Sequence, residues 1–368
     1  MRDVLYVSKA VEPPWNDSSK NLVRDVAWGL TRYRPRIMVS SGGAELPPGG
    51  HGEPIYRQTR GAFAPALATQ VRVMGRLVMG AKVPLWHFFF APNKRSSAAA
   101  RWAARLRGVP TVQTVCSAPH EASDIPSLLF ADRTVVLSQH TRQRFIEAGV
   151  PSSKLSVIPP GIAPLSPAGD EKRLSIRREL GLPEDHALVL YPGDLEFGGG
   201  AQLAVRMASD LPANTSLVMA CRTKTPAAEA AKDKLLAEVA ERGLQTRVFW
   251  LGETPRIHDL ITSVDVVILP TQSLFAKMDY PLVLLEAMSA GLPVIVTEGT
   301  ASAELETYGA LVADFSVAGV SESVFGLLDD LTLRERHGRI GREAVSDVFG
   351  RTALAQAYER LYDELLGA

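Results

Sequence analysis

Residues 264–306 constrain the fold more than any other stretch, because they are predicted to form a strand, a loop, a helix and a second strand in succession. Val266–Leu269 is an uninterrupted apolar run of the kind found in buried parallel strands. Pro281 suits the first turn of a helix, where no N–H donor is needed, and Gly291 ends that helix before a second apolar run, Val294–Val296. The loop of this unit is therefore expected at the carboxyl end of a strand, where open α/β sheets bind their ligands.

The start of the predicted helix is suited to an anionic ligand. The backbone N–H groups near Leu282 and Val283 have no partner within the helix and lie at its positive dipole end, which favours a phosphate. Glu286 follows one turn later, and its carboxylate can accept hydrogen bonds from a sugar diol. We therefore predict a site for a ligand with a phosphate and a sugar, formed by Pro281, Leu282, Val283 and Glu286.

The run PLVLLEAMSAGLPVIVT, with Pro-Thr upstream and Glu304 downstream, resembles the donor-sugar motif of the family 4 retaining glycosyltransferases. The resemblance implies the GT-B fold, an α/β architecture of two Rossmann-like, doubly wound domains that face a cleft. It also implies a metal-independent enzyme of the hexosyltransferase class, which needs no cofactor and takes a nucleotide-diphosphate sugar as its donor substrate.

Within this motif, Glu286 matches the glutamate that grips the ribose of the nucleotide in the family. The family has another glutamate earlier in the motif, and in this chain Met278 stands at that position, between Lys277 and Asp279. Asp279 is predicted to take over part of the sugar contact, and Lys277 is predicted to lie against the diphosphate.

A glycine-rich loop, Pro192–Gly200, follows the first predicted strand of the C-terminal half. Its spacing is not the G-x-G-x-x-G of a dinucleotide site, which argues against an NAD-dependent dehydrogenase. In the resembling family this loop carries an arginine after the glycine that Gly193 matches and a lysine before a later glycine, and both neutralise the donor diphosphate; Gly193 is therefore predicted to be donor-binding. Asp194 and Gly199 occupy those two positions here.

Positive charge for the diphosphate must then come from other residues, because no metal motif is evident and negative charge develops on this leaving group in the transition state. Arg222, Lys224 and Lys277 follow predicted strands at the carboxyl edge of the second sheet, and we predict that they supply it. Lys20 is predicted to face them across the cleft. The alternative for each residue is a solvated surface cation.

Two further site predictions rest on the resemblance. Leu251–Pro255 resembles the family's turn that frames the nucleotide base through backbone groups, and Gly252 is the glycine of that turn. The family commonly places a histidine directly after the strand predicted at Thr111–Val115, where this chain has Cys116. His120, four residues further along in the following loop, is predicted to take the place of the family's histidine. The alternative is that His120 is only a surface residue.

The loop after the first predicted strand is a candidate acceptor-side segment. In the family, glycines in this loop approach the donor phosphates or the acceptor, whereas this chain has polar residues. A position in the cleft is favoured because the loop follows the first strand of a doubly wound sheet. The alternative is a surface loop that caps the next helix. The residues in question are Asn16, Asp17, Ser18, Ser19 and Lys20.

Length and linker signals divide the chain into domains. A chain of 368 residues is long enough for two domains that each bury a core. Leu155–Pro164 reads as a short strand and a turn, and a Pro/Gly/Ser-rich linker follows as far as Gly169. The predicted organisation is an N-terminal Rossmann-like acceptor domain over 1–165, a C-terminal Rossmann-like nucleotide-sugar domain over 166–351, and a helix over 352–368 that by resemblance crosses back to the N-terminal domain.

The formal net charge of zero conceals an asymmetry between the two halves. Residues 1–165 hold 21 Lys and Arg against 10 Asp and Glu, whereas residues 166–368 hold 19 against 30. A basic N-terminal half indicates an anionic partner, and the open alternative is that the two domains attract each other across a cleft. No nucleic-acid partner is predicted, because such a binder would need aromatic stacking motifs in addition to a net basic domain.

The segment Gly61–Lys82 is predicted to form a helix with both apolar and basic positions. Such a helix could rest on an anionic membrane, or it could pack on its own sheet. No stretch approaches the roughly 18 consecutive apolar residues of a membrane span. The N-terminus lacks the apolar region of a signal peptide, and two distant cysteines do not indicate a disulfide framework. We expect a cytoplasmic protein, with peripheral contact at the inner face of the membrane left open.

Two functions are compatible with these patterns. The first is a retaining glycosyltransferase that moves a sugar from a nucleotide-diphosphate sugar to a glycan, lipid or small-molecule acceptor, expected to be anionic or lipid-linked. The second is a catalytically inactive GT-B-fold binding or scaffold protein. It is suggested by Met278, Asp194 and Gly199, which replace the family's glutamate, arginine and lysine.

Overall fold

The computed structural model describes residues 1–41, 45–56, 67–89, 93–119, 121–223, 225–275 and 277–367. The chain forms two compact units. The first unit comprises Met1–Ile162, Ala276–Asp279 and Val348–Ala368, and the second unit comprises Ala163–Phe275 and Tyr280–Asp347.

Strands and helices alternate along most of the chain. The described strands are β1 (Arg2–Val7), β2 (Tyr33–Ser40), β3 (His51–Tyr56), β4 (Leu85–Phe89), β5 (Thr111–Thr114), β6 (Arg133–Val136), β7 (Leu155–Val157), β8 (Ala187–Tyr191), β9 (Thr215–Met219), β10 (Val248–Trp250), β11 (Val266–Leu269), β12 (Val294–Thr297) and β13 (Leu311–Ala313).

The described α-helices are α1 (Ser18–Gly29), α2 (Leu67–Met79), α3 (Lys94–Arg107), α4 (Ile125–Leu128), α5 (Gln139–Glu147), α6 (Asp170–Glu179), α7 (Gly200–Met207), α8 (Pro226–Glu241), α9 (Ile257–Ser263), α10 (Leu282–Ser289), α11 (Val317–Asp329), α12 (Leu331–Asp347) and α13 (Arg351–Leu366). Short 3₁₀ turns lie at Ala122–Asp124, Ser152–Lys154 and Ala301–Tyr308.

The described strands of the first unit form a parallel sheet in the order β3-β2-β1-β4-β5-β6-β7. Every residue of β4 is buried, which agrees with a central strand covered on both faces. One face packs against α2 and α3, where Leu77 and Ala103 meet Leu5 and Trp86 of the sheet. The strand order reverses between β1 and β4, so this sheet is doubly wound.

The C-terminal helix α13 is part of the core of the first unit. Glu359 is 1% exposed, and its carboxylate accepts the backbone N–H groups of Thr31 and Arg32, each at 2.6 Å. Asp25 is fully buried in α1, and Arg351 donates to it at 2.7 Å. These buried carboxylates fix α13 to the end and the side of α1.

The second unit repeats the pattern. Its described strands form a parallel sheet in the order β10-β9-β8-β11-β12-β13, and the order reverses between β8 and β11. Val266, Val267 and Ile268 are fully buried, as the apolar run predicts. The helix α10 begins after Pro281, and Gly291 adopts a positive φ of 79° just beyond its end.

Two doubly wound parallel-sheet units confirm the predicted α/β class. β3, an edge strand that contains Gly52 and Pro54, is not among the predicted strands. Proline cannot donate to a strand ladder and is tolerated at an edge, so its presence disguised this strand. Of the helix predicted at Gly61–Lys82, the structure gives Leu67–Met79, and residues 61–66 lie outside the described part. None of the described helices is both long and apolar enough to cross a membrane.

Candidate functional site

The candidate donor site lies where the strand order of the second sheet reverses. β8 and β11 are neighbours there, and the glycine-rich loop follows β8 while residues 270–281, which we call the donor loop, follow β11. At such a switch point the two loops leave the sheet towards opposite faces and open a crevice for a ligand. The fold thus places side by side the two segments that the sequence singled out.

The glycine-rich loop packs tightly against the start of the donor loop. The N–H of Gln272 donates to the carbonyl of Gly198 at 3.0 Å. Gly198 has a φ of +75°, and a Cβ added there would lie 1.9 Å from Oγ1 of Thr271. A Cβ on Gly200, the first residue of α7, would lie 1.9 Å from the carbonyl oxygen of Pro270. The two loops can therefore pack this closely only because residues 198 and 200 are glycines.

A pair of aromatic rings lies beside this contact. Phe197 and Phe275 meet edge to face with ring centroids 5.5 Å apart, and they are 42% and 40% exposed. Neither phenylalanine is among the predicted site residues, because the two come from segments far apart in the chain. A lone phenylalanine in a polar loop carries no signal of such a partner.

Asp194, at the position of the family's arginine, stabilises the turn of its own loop. Its Oδ1 accepts the N–H groups of Glu196 at 2.8 Å and Phe197 at 3.1 Å. The hydroxyl of Tyr191 donates to the carbonyl of Asp194 at 2.9 Å, and Thr225 donates to the carboxylate of Glu196 at 2.6 Å. Asp194 therefore has a local structural role. Gly193 lies in the same loop and is partly exposed.

Glu286 is held near the start of α10. The helix begins at Leu282 with Pro281 at its N-cap, and no side chain caps it. The side chain of Glu286 is 17% exposed, and its Oε1 lies 3.3 Å from Nε2 of His258. His258 is the second residue of α9 and was missed by the sequence analysis, because only the packing of α9 against α10 brings it to the carboxylate.

Both ends of the donor loop are tied down within the second unit. The hydroxyl of Thr297 accepts the N–H of Thr271 at 2.8 Å and donates to its carbonyl at 2.8 Å. At the other end, the hydroxyl of Tyr280 donates to the carboxylate of Glu304. Glu304 lies in the 3₁₀ turn that follows β12. The loop is therefore fixed at its base before any ligand binds.

The middle of the donor loop belongs to the first unit. Met278 is 3% exposed, and the adjacent Asp279 is 6% exposed. Oδ2 of Asp279 accepts a hydrogen bond from Oγ of Ser138 at 2.6 Å, and Ser138 also caps α5. The predicted contact between Asp279 and a sugar stays a prediction. The structure shows that one of its carboxylate oxygens already has a protein donor.

The predicted cations are distributed over both units. Arg222 belongs to the second unit, and its Nη1 lies 3.8 Å from Oε1 of Glu253. Lys277 is partly exposed in the first unit. Lys224 lies outside the described residues, as does His120. The convergence of Arg222, Lys224 and Lys277 on a diphosphate stays a prediction. Gly252 has a φ of +64°, as expected of a glycine in the predicted turn.

The loop after β1 lies at the switch point of the first sheet. Asp17 caps α1 by accepting the N–H groups of Ser19 at 3.0 Å and Lys20 at 3.3 Å. Burial alone would raise the pKa of Asp17, but hydrogen bonds from Lys9 and Ser19 outweigh it and lower the pKa to about 2. Burial also lowers the pKa of Lys20. Asn16 and Ser18 are exposed.

The loop after β1 has features of both predicted alternatives, the position in a cleft and the surface loop that caps a helix. It caps the helix, as the surface-loop alternative holds, and it also lies at the ligand-binding edge of its sheet. Cys116 is buried nearby, and burial raises the pKa of its thiol to about 12, which leaves the thiol protonated and poorly nucleophilic. Within the described ranges, no group of three His, Cys, Asp or Glu side chains is arranged to hold a metal ion.

Residues 172–344 match the family Glycosyl transferases group 1. The matched segment includes the glycine-rich loop, the donor loop, His258 and Glu286. It therefore supports, for the second unit, the resemblance drawn from the donor motif.

Relatives with assigned activities match parts of the chain. A D-inositol 3-phosphate glycosyltransferase of Nocardia farcinica is 27% identical over 230 residues, which are 60% of this chain and 49% of that protein. The lipopolysaccharide core biosynthesis mannosyltransferase LpcC of Rhizobium leguminosarum is 29% identical over 193 residues, which are 51% of this chain and 53% of LpcC. The chain thus spans about half the length of each relative.

Solved structures match over nearly the whole chain. HepE of Anabaena, in complex with UDP and glucose, superposes with a TM-score of 0.79 over 99% of this chain and 100% of that chain, at 15% identity. The sucrose-phosphate synthase of Thermosynechococcus elongatus gives a TM-score of 0.76 at 18% identity, over 100% of both chains. These neighbours confirm the predicted GT-B fold.

Proposed function

We propose that this protein transfers a sugar from a nucleotide-diphosphate sugar to an acceptor, with retention of the anomeric configuration and without a required metal ion. The observation that carries the proposal is the packing of the glycine-rich loop on the donor loop at the switch point of the second sheet. That switch point lies within the segment that matches the Glycosyl transferases group 1 family. Retention and metal independence rest on the resemblance of the donor motif.

In this proposal the second unit binds the nucleotide. Glu286 accepts hydrogen bonds from both hydroxyls of the ribose, and His258, whose Nε2 lies 3.3 Å from its Oε1, helps to orient the carboxylate. The N–H groups of Leu282 and Val283, at the uncapped start of α10, bind the diphosphate. The turn that contains Gly252 frames the base.

The diphosphate needs further positive charge as it departs. Arg222, Lys224 and Lys277 are proposed to supply this charge in place of the family's arginine and lysine. These cations would also offset the negative charge of Asp194, whose Oδ1 accepts two N–H groups of its own loop. The remaining candidates for contact with the transferred sugar are Asp279 and His120.

The acceptor is proposed to be anionic or lipid-linked and to bind the first unit, through the loop that contains Asn16–Lys20. The excess of basic residues in the first 165 positions supports an anionic acceptor. The names of the two relatives agree with it, since one refers to D-inositol 3-phosphate and the other to the lipopolysaccharide core. Synthesis at the cytoplasmic face of a membrane would fit a lipid-linked acceptor.

A second candidate function is a GT-B-fold binding protein that does not transfer a sugar. It is favoured by the burial of Met278 at the position of the family's first glutamate and by Asp194 at that of its arginine. Such a protein would bind a nucleotide sugar but would not turn it over.

Turnover separates the two functions. The purified chain is incubated with a panel of nucleotide-diphosphate sugars and candidate phosphorylated or lipid-linked acceptors, with and without a chelator, and the release of nucleoside diphosphate is followed. Proton NMR of the product reports the anomeric configuration. The proposal predicts acceptor-dependent release that survives the chelator and keeps the donor's configuration. Binding of a nucleotide sugar without turnover on any acceptor would favour the second candidate.

A further inference from the structure

We infer that the outward face of α2 and α3 is a docking surface for an anionic lipid bilayer. Both helices cover the same face of the first sheet, since Val73 and Leu77 of α2 and Ala100 and Ala103 of α3 pack in one core cluster. Their other sides therefore point away from the sheet together. The docking does not depend on the proposed function. Only the idea that docking brings the site to a lipid-linked acceptor rests on it.

Large apolar side chains are exposed on this outward face. Met79 is 81% exposed and Val71 is 64% exposed on α2, whereas Leu106 and Trp102 of α3 are 57% and 56% exposed. They are four of the few large apolar residues in the described ranges that are more than half exposed. Exposed apolar residues concentrated on one face, with charges beside them, are typical of an interaction surface.

The charged side chains of the two helices are all basic. Neither α2 nor α3 contains an aspartate or a glutamate. Within the described residues, Arg72, Lys82, Arg95 and Arg105 form no ion pair and lie at exposed or half-buried positions of the two helices and their connection. Other basic side chains are already engaged, as Arg107 donates to two backbone carbonyls at the end of α2.

The Arg107 contacts also bring the ends of the two helices together. Its guanidinium donates to the carbonyls of Val78 at 2.7 Å and Gly80 at 3.0 Å, the residues that flank Met79. The backbone on either side of Met79 is therefore held by Arg107, the residue that follows Leu106 on α3. On α3, Arg95, Trp102 and Leu106 share one stripe, because they are spaced by two and three helical turns.

This chemistry fits a bilayer. A helix that carries basic groups and large apolar side chains on one exposed face lies in the membrane interface, where the apolar groups enter the acyl boundary and the cations meet lipid phosphates. Tryptophan and long arginine side chains suit that boundary because each has an apolar body and a polar end.

Co-sedimentation of the full chain with lipid vesicles tests the inference. Vesicles of phosphatidylcholine alone are compared with vesicles that also contain phosphatidylglycerol, at low and raised salt. We expect sedimentation with the anionic vesicles only, weakened by salt. Arg95→Gln and Arg105→Gln are each expected to lower the partition coefficient about fivefold, the equivalent of ~1 kcal/mol per charge at an anionic surface. Leu106→Ser is expected to lower it roughly tenfold.

The matched controls lie on α12 in the second unit. Leu331 is 55% exposed, close to the value for Leu106, and Arg336 is an exposed arginine. Leu331→Ser and Arg336→Gln should bind vesicles like the wild type, and all variants should unfold at the wild-type temperature because the substituted residues are exposed.

Three results would overturn the inference. The first is equal sedimentation of the wild type with both kinds of vesicle, and the second is an equal loss of binding in the α12 and α3 variants. The third is a wild-type dimer in sedimentation equilibrium that becomes monomeric in the α3 variants, which would show that the face binds a second copy. Calorimetry with nucleoside diphosphates on the same variants keeps the proposed function separate. A wild type that binds anionic vesicles but no nucleoside diphosphate would refute the donor site alone, and α3 variants that lose vesicle binding but keep nucleotide binding would support the docking surface.

Discussion

Replacing Gly198 with alanine tests whether the packing of the two loops builds the donor site. Gly198 has a φ of +75°, and its added Cβ would lie 1.9 Å from Oγ1 of Thr271. Gly243 provides a matched control, because it has a φ of +67° in the same unit and its Cβ would meet nothing within 4 Å. Gly243→Ala therefore measures the backbone strain without the collision.

The magnitude follows from the contacts of Thr271. A left-handed alanine costs about 1–2 kcal/mol of stability, of which a few tenths or more are recovered from the reduced entropy of the unfolded chain. To clear the new Cβ, Thr271 must also rotate away from Ser273, to whose carbonyl it donates at 2.8 Å and from whose N–H it accepts at 3.2 Å. At about 1 kcal/mol for each hydrogen bond, Gly198→Ala should cost roughly 2 kcal/mol more than Gly243→Ala.

Urea unfolding of the two variants gives this difference, since both lie in the second unit and report on the same transition. Thr271→Ala alone loses the same two hydrogen bonds and should cost about 2 kcal/mol, but it should cost little further when added to Gly198→Ala, and a double-mutant cycle measures this coupling. Calorimetry should show weaker nucleoside diphosphate binding for Gly198→Ala and unchanged binding for Gly243→Ala. Equal stability and equal affinity of the two variants would refute the reasoning.

Further perturbations test individual side chains. Glu286→Ala should weaken nucleoside diphosphate affinity by about 1.5–3 kcal/mol, measured by calorimetry, because hydrogen bonds to a charged carboxylate are lost; unchanged affinity in a folded variant would remove it from the site. Arg222→Ala and Lys277→Ala should each reduce turnover without a matching loss of thermal stability, and a nucleotide complex in which both side chains point away from the phosphates would contradict this. Burial would raise the pKa of Asp17, but hydrogen bonds from Lys9 and Ser19 outweigh it and lower the pKa to about 2. The ionised carboxylate therefore stabilises the fold at pH values above its ordinary pKa of 3.8. The stability advantage of the wild type over Asp17→Asn should be lost as the pH falls from about 4 towards 2, and an advantage independent of pH would contradict the assignment.

Much of the fold could be predicted because local signals agreed with the tertiary structure. The apolar runs at Val266–Leu269 and Val294–Val296 are buried central strands, and Pro281 and Gly291 mark the helix between them. β3 was missed because an edge strand can hold Pro54 and lacks a continuous apolar run. Edge elements therefore carry weaker sequence signals than central ones.

The candidate site was less predictable than the fold. Glu286 could be singled out because one motif contains it, whereas its partner His258 comes from another helix. Asp194 could be recognised as the replacement of the family's arginine, but the N–H groups that its carboxylate accepts follow only from the turn that the loop adopts. The burial of Met278 likewise depends on which unit that part of the donor loop joins. Sequence reasoning identifies segments, whereas packing decides the partner of each side chain.

Calorimetric titration of the wild-type chain with nucleoside diphosphates tests the central claim most directly, which is that the switch point of the second sheet binds the nucleotide of a donor sugar. The panel contains the uridine, guanosine, adenosine and thymidine diphosphates, and Glu241→Ala, an exposed substitution on α8, serves as the control for Glu286→Ala. We predict saturable binding of at least one nucleotide, weakened by Glu286→Ala and unchanged by Glu241→Ala. Absence of binding to every nucleotide in the panel would contradict the account.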